Sequence, residues 1–298
     1  MKRMVFDVGG TEIKYALMDE ELNMSGRGYI RTPLESFTDF ADAIYGIYAQ
    51  HKDETDGIAM SLPGFVDTEK GRVNGGGVLL YNHGTDVGPL LEERCGCRVV
   101  LVNDGKAAAL AEYARGSLQG CRNAAVFVIG TGVGGGLIID GKLVTGKHFT
   151  AGEYSFVNID RSCLGTPQSC MGNVCSTTGL LRRYEEATGE AIDGREFFRR
   201  LPEDEIAQKA LDDFAMDVAY QIYNLYWLLD LEKIAIGGGI SRQPILCEKI
   251  REKFNLILEG WSFREDDDIR SVEIMPARFG NEANMIGAFM TYQNRMGN

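Results

Sequence analysis

The chain has 298 residues, 44% of them hydrophobic, enough for two domains with cores of their own. Its 43 acidic residues against 31 basic ones give a net charge of −12, which repels nucleic-acid backbones and anionic membranes and argues against both as partners. No window reaches the roughly 18 consecutive apolar residues of a membrane span, and seven unevenly spread cysteines behind an N-terminus without a secretory apolar region read as a chain of the reducing cytoplasm. Acidic residues gather at 203–213 and again at Glu265, Asp266, Asp267 and Asp268, where the expectation is a solvated surface without a function of its own.

In chain order, residues 5–11 and 13–18 predict two short strands joined by a glycine turn, Gly9-Gly10-Thr11. A helix is expected over 37–51, strands over 57–62 and 98–103, and a helix over 106–114. Residues 126–139 repeat the opening layout of apolar strand, glycine turn and apolar strand, and overlay residues 5–18 without a gap. Helices are expected over 177–188 and 206–229, then a strand and a third glycine turn over 233–239. Strands alternating with helices make an α/β fold, and the duplicated hairpin opens a second, larger lobe after a boundary near residues 116–120. The loop over 71–77 is the glycine-rich segment most suited to a mobile rim.

Glycine lacks a Cβ, so each of the three glycine turns could bring backbone N–H groups close to phosphate oxygens; each could equally be a tight turn with no ligand. Two duplicate turns and a third of the same kind favour the ligand. None is a Walker A sequence or a full dinucleotide fingerprint, because the Lys-Ser/Thr ending is missing and the turns are expected to join strand to strand. Asp7 ends an apolar strand, where a carboxylate could hold hydrated Mg2+ beside phosphates or simply cap the turn. Asp104 ends another, where it suits a general base for a hydroxyl attacking a phosphoryl group, or an N-cap on the following helix.

Taken together these motifs resemble the ROK family (repressors, open reading frames and kinases) of the actin/hexokinase superfamily, over nearly the whole chain. The resemblance rests on Asp7-x-Gly9-Gly10-Thr11-x-x-Lys14, Pro63-Gly64-x-Val66-Asp67, Asn103-Asp104-x-x-x-Ala108-Ala109, Gly130-Thr131-Gly132-x-Gly134-Gly135-Gly136, Ala151-Gly152-Glu153 and Gly237-Gly238-Gly239. It implies a duplicated two-lobe, ribonuclease H-like α/β fold with the active-site cleft between lobes. The small lobe would be residues 1–117, joined by a C-terminal helix of about 282–298, and the larger lobe residues 118–281. The implied activity is transfer of the γ-phosphoryl group of Mg·ATP to a sugar hydroxyl, with lobe closure around the sugar, by a cytoplasmic homodimer.

By the same resemblance Asp104 is the catalytic base, and Asn103, Glu153 and Gly64 bind sugar. Gly9, Gly10, Thr11, Lys14, Gly130, Thr131 and Gly132 attend the phosphates, Asp7 holds Mg2+ indirectly, and Gly238 and Gly239 flank the adenosine. Two departures stand out. Phe156 replaces the family's histidine, and the zinc loop is reduced to Cys163, Cys170 and Cys175 at altered spacing, so no structural zinc is expected, even with His148 as a distant fourth ligand. The resemblance places the missing histidine and the loop's missing glutamate near the sugar's O1 and O2, so the anomeric side is expected to be held less tightly. The run Ala151 to Tyr154, with 177–184 and 223–225, resembles a zinc-less, β-glucoside kinase-like branch, implying phosphorylation of the 6-hydroxyl of a non-reducing glucose in a β-linked disaccharide. The alternatives are a glucokinase, fructokinase or N-acetylmannosamine kinase, and a non-catalytic sugar sensor. Tyr154 and Phe156, adjoining Glu153, are expected to stack on sugar, whereas Tyr223, Tyr226 and Trp227 recur at helical spacing and read as core.

Overall fold

The computed structural model describes residues 2–260 and 272–297; the acidic run Glu265 to Asp268 lies outside them. The chain divides into two compact units. Unit 1 comprises Met1–Ala111, Thr145–Ala151 and Glu282–Asn298, and unit 2 comprises Glu112–Val144 and Gly152–Asn281.

Unit 1 opens with β1 (Lys2–Val8), β2 (Glu12–Met18) and β3 (Met24–Arg31), an antiparallel meander. Helix α1 (Phe37–His51) follows, capped by Ser36, whose Oγ accepts from the Asp39 N–H, and it buries Phe40, Ile44, Ile47 and Tyr48 at the spacing of one helical face. Next come β4 (Thr55–Leu62), the short ribbon β5 (Val66–Asp67) and β6 (Arg72–Val73), α2 (Val87–Cys95), β7 (Arg98–Asn103) and α3 (Asp104–Arg115). The sheet order is β3-β2-β1-β4-β7, with β1, β4 and β7 parallel. Phe6, Ile13, Ile58, Met60 and Leu101 meet Phe40 and Ile44 in its core.

Unit 2 contains β8 (Ala124–Ile129), β9 (Val133–Ile139), β10 (Lys142–Leu143), α4 (Met171–Val174), α5 (Thr177–Thr188), α6 (Gly194–Arg200), α7 (Glu205–Leu229), β11 (Lys233–Gly237), α8 (Pro244–Glu259) and β12 (Glu273–Pro276). Its order, β10-β9-β8-β11-β12, repeats that of unit 1, antiparallel up to β8 and parallel beyond it. The duplication read from one hairpin thus extends to a whole sheet. The gapless overlay needs a correction at the turn: Val8 pairs with Ile13, whereas Ile129 pairs with Val133, so the second turn is one residue shorter.

The third glycine turn also differs from expectation. Because β11 lies parallel to β8 and β12, a hairpin cannot follow it, and Gly238 leads instead into one turn of 3-10 helix, Gly239–Arg242, and then α8. On α7, Ile222 and Tyr226 take the core face, Tyr223 is half-buried, and Trp227 is 46% exposed, contrary to its reading as core. One residue along a helix is a rotation of about 100°, which turns the 223/227 pair away from the packed side.

The last helix, α9 (Ala283–Met296), packs on β1, β4 and β7 of unit 1, with Gly287 directly against the Ala107 backbone. A Cβ at Gly287 would collide with the Ala107 carbonyl, which cannot move without shifting α3. Helix propensity alone would make Gly287→Ala stabilising by about 1 kcal/mol. The overpacking outweighs it, and we expect a net loss of about 2 kcal/mol, read as a lowered urea midpoint; a raised midpoint would show that the helix has room there.

Candidate active site

In unit 1 the catalytic candidates stand at the carboxyl ends of parallel strands, where open α/β sheets present functional groups. Asp7, next to last in β1, is partly buried among neutral donors: its Oδ1 accepts from Ser61 Oγ at 3.0 Å and from Asn284 Nδ2 at 2.9 Å. Burial pushes the carboxyl above its ordinary 3.8, against the two hydrogen bonds and the charge of Lys14, its cross-strand partner. One hard carboxylate oxygen donor with no anion bonded to it fits a hydrated Mg2+, which keeps most of its waters. Ser61 and Asn284 were not anticipated, since they reach Asp7 from 54 and 277 residues away.

The turn after β1 is closed by the Gly9 N–H donating to the Glu12 carbonyl at 3.0 Å, and Thr32 Oγ1 donates to the Gly9 carbonyl at 2.7 Å. A Cβ on Gly10 would stand 2.8 Å from Val78 Cγ2, so the turn is held close to the glycine-rich loop. Thr11 is exposed at its tip, and Lys14 pairs with Glu12 at 3.3 Å.

Asn103 and Asp104 form the junction where β7 passes directly into α3. Asn103 is buried, and its amide is nearly spent: Nδ2 donates to the Gly64 carbonyl at 3.1 Å and to Asp104 Oδ1 at 3.0 Å, while Oδ1 accepts from the Lys106 N–H at 3.0 Å. The helix is therefore capped by Asn103 and not by Asp104, because α3 begins two residues earlier than its sequence pattern suggests. Asp104 Oδ1 also accepts from the Gly105 N–H at 2.8 Å, so two donors fix the orientation of this oxygen. Lys106, two residues on, is only 2% exposed; sequence reasoning passed over it, since lysine is rarely buried.

Gly64 has φ of +117°, and a Cβ there would stand 2.8 Å from the Gly75 carbonyl oxygen, so this position requires glycine. The Phe65 N–H donates to the Gly75 carbonyl at 2.7 Å and the Asn74 N–H to the Phe65 carbonyl at 2.9 Å, so the loop over 71–77 is anchored to the residue after Gly64. Asp67, from the same motif, is used locally, accepting from the Glu69 and Lys70 N–H groups at 3.1 Å.

In unit 2 the turn between β8 and β9 holds Gly130, Thr131 and Gly132, and the Gly130 N–H donates to the Gly132 carbonyl at 2.9 Å. Ser155 straps its far side, its Oγ accepting from the Val133 N–H at 3.0 Å. The N-terminus of α5 abuts this turn: the Thr177 N–H donates to the Gly130 carbonyl at 2.8 Å, and Ser176 caps the helix through the Gly179 N–H at 3.1 Å. A helix N-terminus beside a glycine turn favours anions, a feature that the capping pattern Ser176-Thr177-Thr178-Gly179 could have signalled. Among the described residues, no atom beyond the glycine and its chain neighbours lies within 4 Å of where a Cβ would stand on Gly130 or Gly239, whereas one on Gly238, at φ +94°, would strike the Ile129 backbone. Open space over two of these turns fits a nucleotide that a side chain would exclude.

Glu153 precedes a short 3-10 turn, Tyr154–Phe156. Tyr154 packs edge-on against Phe127 with ring centroids 4.5 Å apart, and its hydroxyl donates to the Gly136 carbonyl at 3.3 Å, so its ring supports the β9 glycines. Phe156 is 60% exposed. The three cysteines of the reduced zinc loop have diverged: Cys175 is in the core, where burial raises its thiol, Cys163 Sγ faces the Asp160 carbonyl at 4.0 Å, and Cys170 Sγ faces the Thr166 carbonyl at 3.7 Å. Among the described residues no three His, Cys, Asp or Glu side chains gather as a metal site.

Because the folded state holds the Asp7 proton more tightly than the unfolded chain does, the Asp7 contribution is fully present below its ordinary 3.8 and is lost as pH rises through the raised value. At pH 7 the buried charge is a cost. Asp7→Asn keeps an Oδ1 acceptor for both donors, so in EDTA at pH 7 its Tm should exceed the parent's, with the difference shrinking towards pH 4; a lower Tm at pH 7 would contradict this burial argument.

A family model described as the ROK family matches residues 3–295. The chain is 30% identical to a β-glucoside kinase of Listeria monocytogenes over 99% of both chains, and 30% identical to one of Klebsiella pneumoniae over 97% of this chain and 95% of that one. A ROK family glucokinase from Streptomyces griseus, solved in complex with glucose and AMPPNP, superposes with a TM-score of 0.82 at 25% identity, covering 97% of this chain and 98% of its own. With its repeated sheets and its glycine turns and strand-end carboxylates in the order already described, the chain belongs to the ROK family and has the actin/hexokinase fold of its solved relatives.

Proposed function

We propose that the chain is an ATP-dependent sugar kinase that phosphorylates the 6-hydroxyl of a glucose-like sugar, with the non-reducing glucose of a β-linked disaccharide as its preferred acceptor. The observation that carries the reading is the Asp104 carboxylate, fixed at the end of β7 by the Asn103 amide and the Gly105 N–H. The identity to kinases named for β-glucosides and the nucleotide analogue bound to a superposable relative support it.

Asp104 accepts the proton of the attacking hydroxyl and aligns its oxygen. Asn103 acts chiefly by positioning, since both amide hydrogens are committed and one Oδ1 lone pair remains for sugar. Glu153, the Gly64 segment and Phe156, close to Glu153 in sequence, supply the other sugar contacts. Gly9, Gly10, Thr11, Gly130, Thr131 and Gly132 present backbone and hydroxyl donors to phosphate, Lys14 adds positive charge, and Gly238 and Gly239 leave room for adenosine. Asp7 would hold Mg2+ through its waters, and the ion would neutralise charge on the transferring phosphate.

All seven cysteines are unpaired, and no helix among the described residues is long and apolar enough to cross a membrane, consistent with work in a reducing cytoplasm. A homodimer is the assembly we propose.

Asp104→Asn keeps the size and one acceptor oxygen but removes the base, and kcat should fall by roughly 10²–10⁴ with sugar binding retained. The measurement is coupled ADP release with glucose and cellobiose as acceptors, alongside calorimetric sugar binding; near-native kcat in the variant would remove Asp104 from the mechanism.

A further inference from the structure

The last three turns of α7, from Val218 to Leu229, carry no charged side chain, although a quarter of the chain is charged. Gln221, Asn224, Leu225 and Leu228 recur there at i, i+3, i+4 and i+7, so they share one face, and that face lines a cavity of about 630 Å3 within unit 2. The volume falls in the range of small-molecule sites. Gln221 is the informative residue. It is 5% exposed, lines the cavity, and its amide makes no side-chain hydrogen bond among the described residues. A primary amide that reaches the solvent of a cavity offers a ligand two donors and an acceptor.

The chemistry of the walls narrows the ligand. With no charged group lining it, the cavity is unsuited to a phosphate, a carboxylate or a nucleotide. Asn224 and Asn158 add two more amides; Asn158 Oδ1 accepts from Ser169 Oγ, which leaves its Nδ2 as a donor. Tyr223 and Trp227 add aromatic surface, their rings 6.1 Å apart and inclined at 70°. Amides that can pair with adjacent hydroxyls, beside aromatic faces that cover C–H surface, are what a neutral carbohydrate ring requires.

We propose that this cavity binds the second ring, or aglycone, of a β-glucoside, so that the enzyme discriminates a glycoside from free glucose through α7. The inference rests on the sugar-kinase reading, and the two are linked in sequence: Tyr154, which lines the cavity, directly follows Glu153, the residue proposed to hold the phosphorylated ring.

Gln221→Leu and Trp227→Ala test it, with kinetics and calorimetry on glucose, cellobiose and gentiobiose. Each variant should raise KM and Kd for the disaccharides by about tenfold while leaving kcat and both constants for glucose unchanged. Equal effects on glucose and disaccharides, or no effect on either, would overturn the proposal. Sedimentation provides a second check: if Trp227→Ala converts a parent dimer into monomers, the cavity is covered by a second copy and the proposal fails. If the parent phosphorylates no sugar but binds disaccharides in a Gln221-dependent way, the kinase reading fails and the cavity assignment stands.

Discussion

The Asn103 side chain ties together three things that a phosphoryl-transfer site needs in register. Through one amide it holds the Gly64 carbonyl, the Asp104 carboxylate and the first turn of α3. A strand that passes into a helix without a loop leaves no slack for Asp104 to wander, and the same amide that caps the helix aims the carboxylate. General-base catalysis depends on such fixity, because a misplacement of about 1 Å can cost about 10²-fold in rate. The Gly64 segment is secured in turn by backbone bonds to the glycine-rich loop, so a conformational choice at one φ of +117° propagates to the Asp104 carboxylate.

Around this junction the protein spends stability on charge burial and backbone conformation. Asp7 is kept among neutral donors although burial disfavours its ionised form, an arrangement that makes sense for a group awaiting a cation. In unit 2, glycines with left-handed φ and no room for a Cβ, such as Gly238 against Ile129, bring strand ends closer than other residues would allow. Departure from ordinary packing rules concentrates at functional sites, and here it falls on both copies of the repeated sheet.

Much of the fold was legible in the sequence. The helices Phe37–His51 and Thr177–Thr188 end where they were expected, because Ser36 and Ser176 are good N-caps and the buried positions keep helical period. The repeated glycine hairpin announced the duplication, though the one-residue difference between the turns depends on cross-strand pairing that an ungapped overlay does not register. Asp7, Asn103 and Asp104 could be picked out because each ends or follows an apolar strand. Their partners could not: Asn284 meets Asp7 only after α9 returns to the first sheet, and the burial of Lys106 and Gln221 is decided by tertiary packing on elements whose local pattern reads as ordinary helix. The side taken by Trp227 was misjudged for the same reason, since spacing along a helix does not say which way a ring faces.

The central claim is that Asp104 deprotonates a sugar 6-hydroxyl as the γ-phosphoryl group of ATP arrives. The most direct test is to incubate the protein with Mg·ATP and glucose, cellobiose or gentiobiose, and to identify the product by phosphorus NMR. Stoichiometric ADP and a phosphomonoester at C6, on the non-reducing ring where there are two, are the expected products. Tight sugar binding with no phosphorylated sugar from any of the three would contradict it and leave a sugar-binding member of the family without kinase activity.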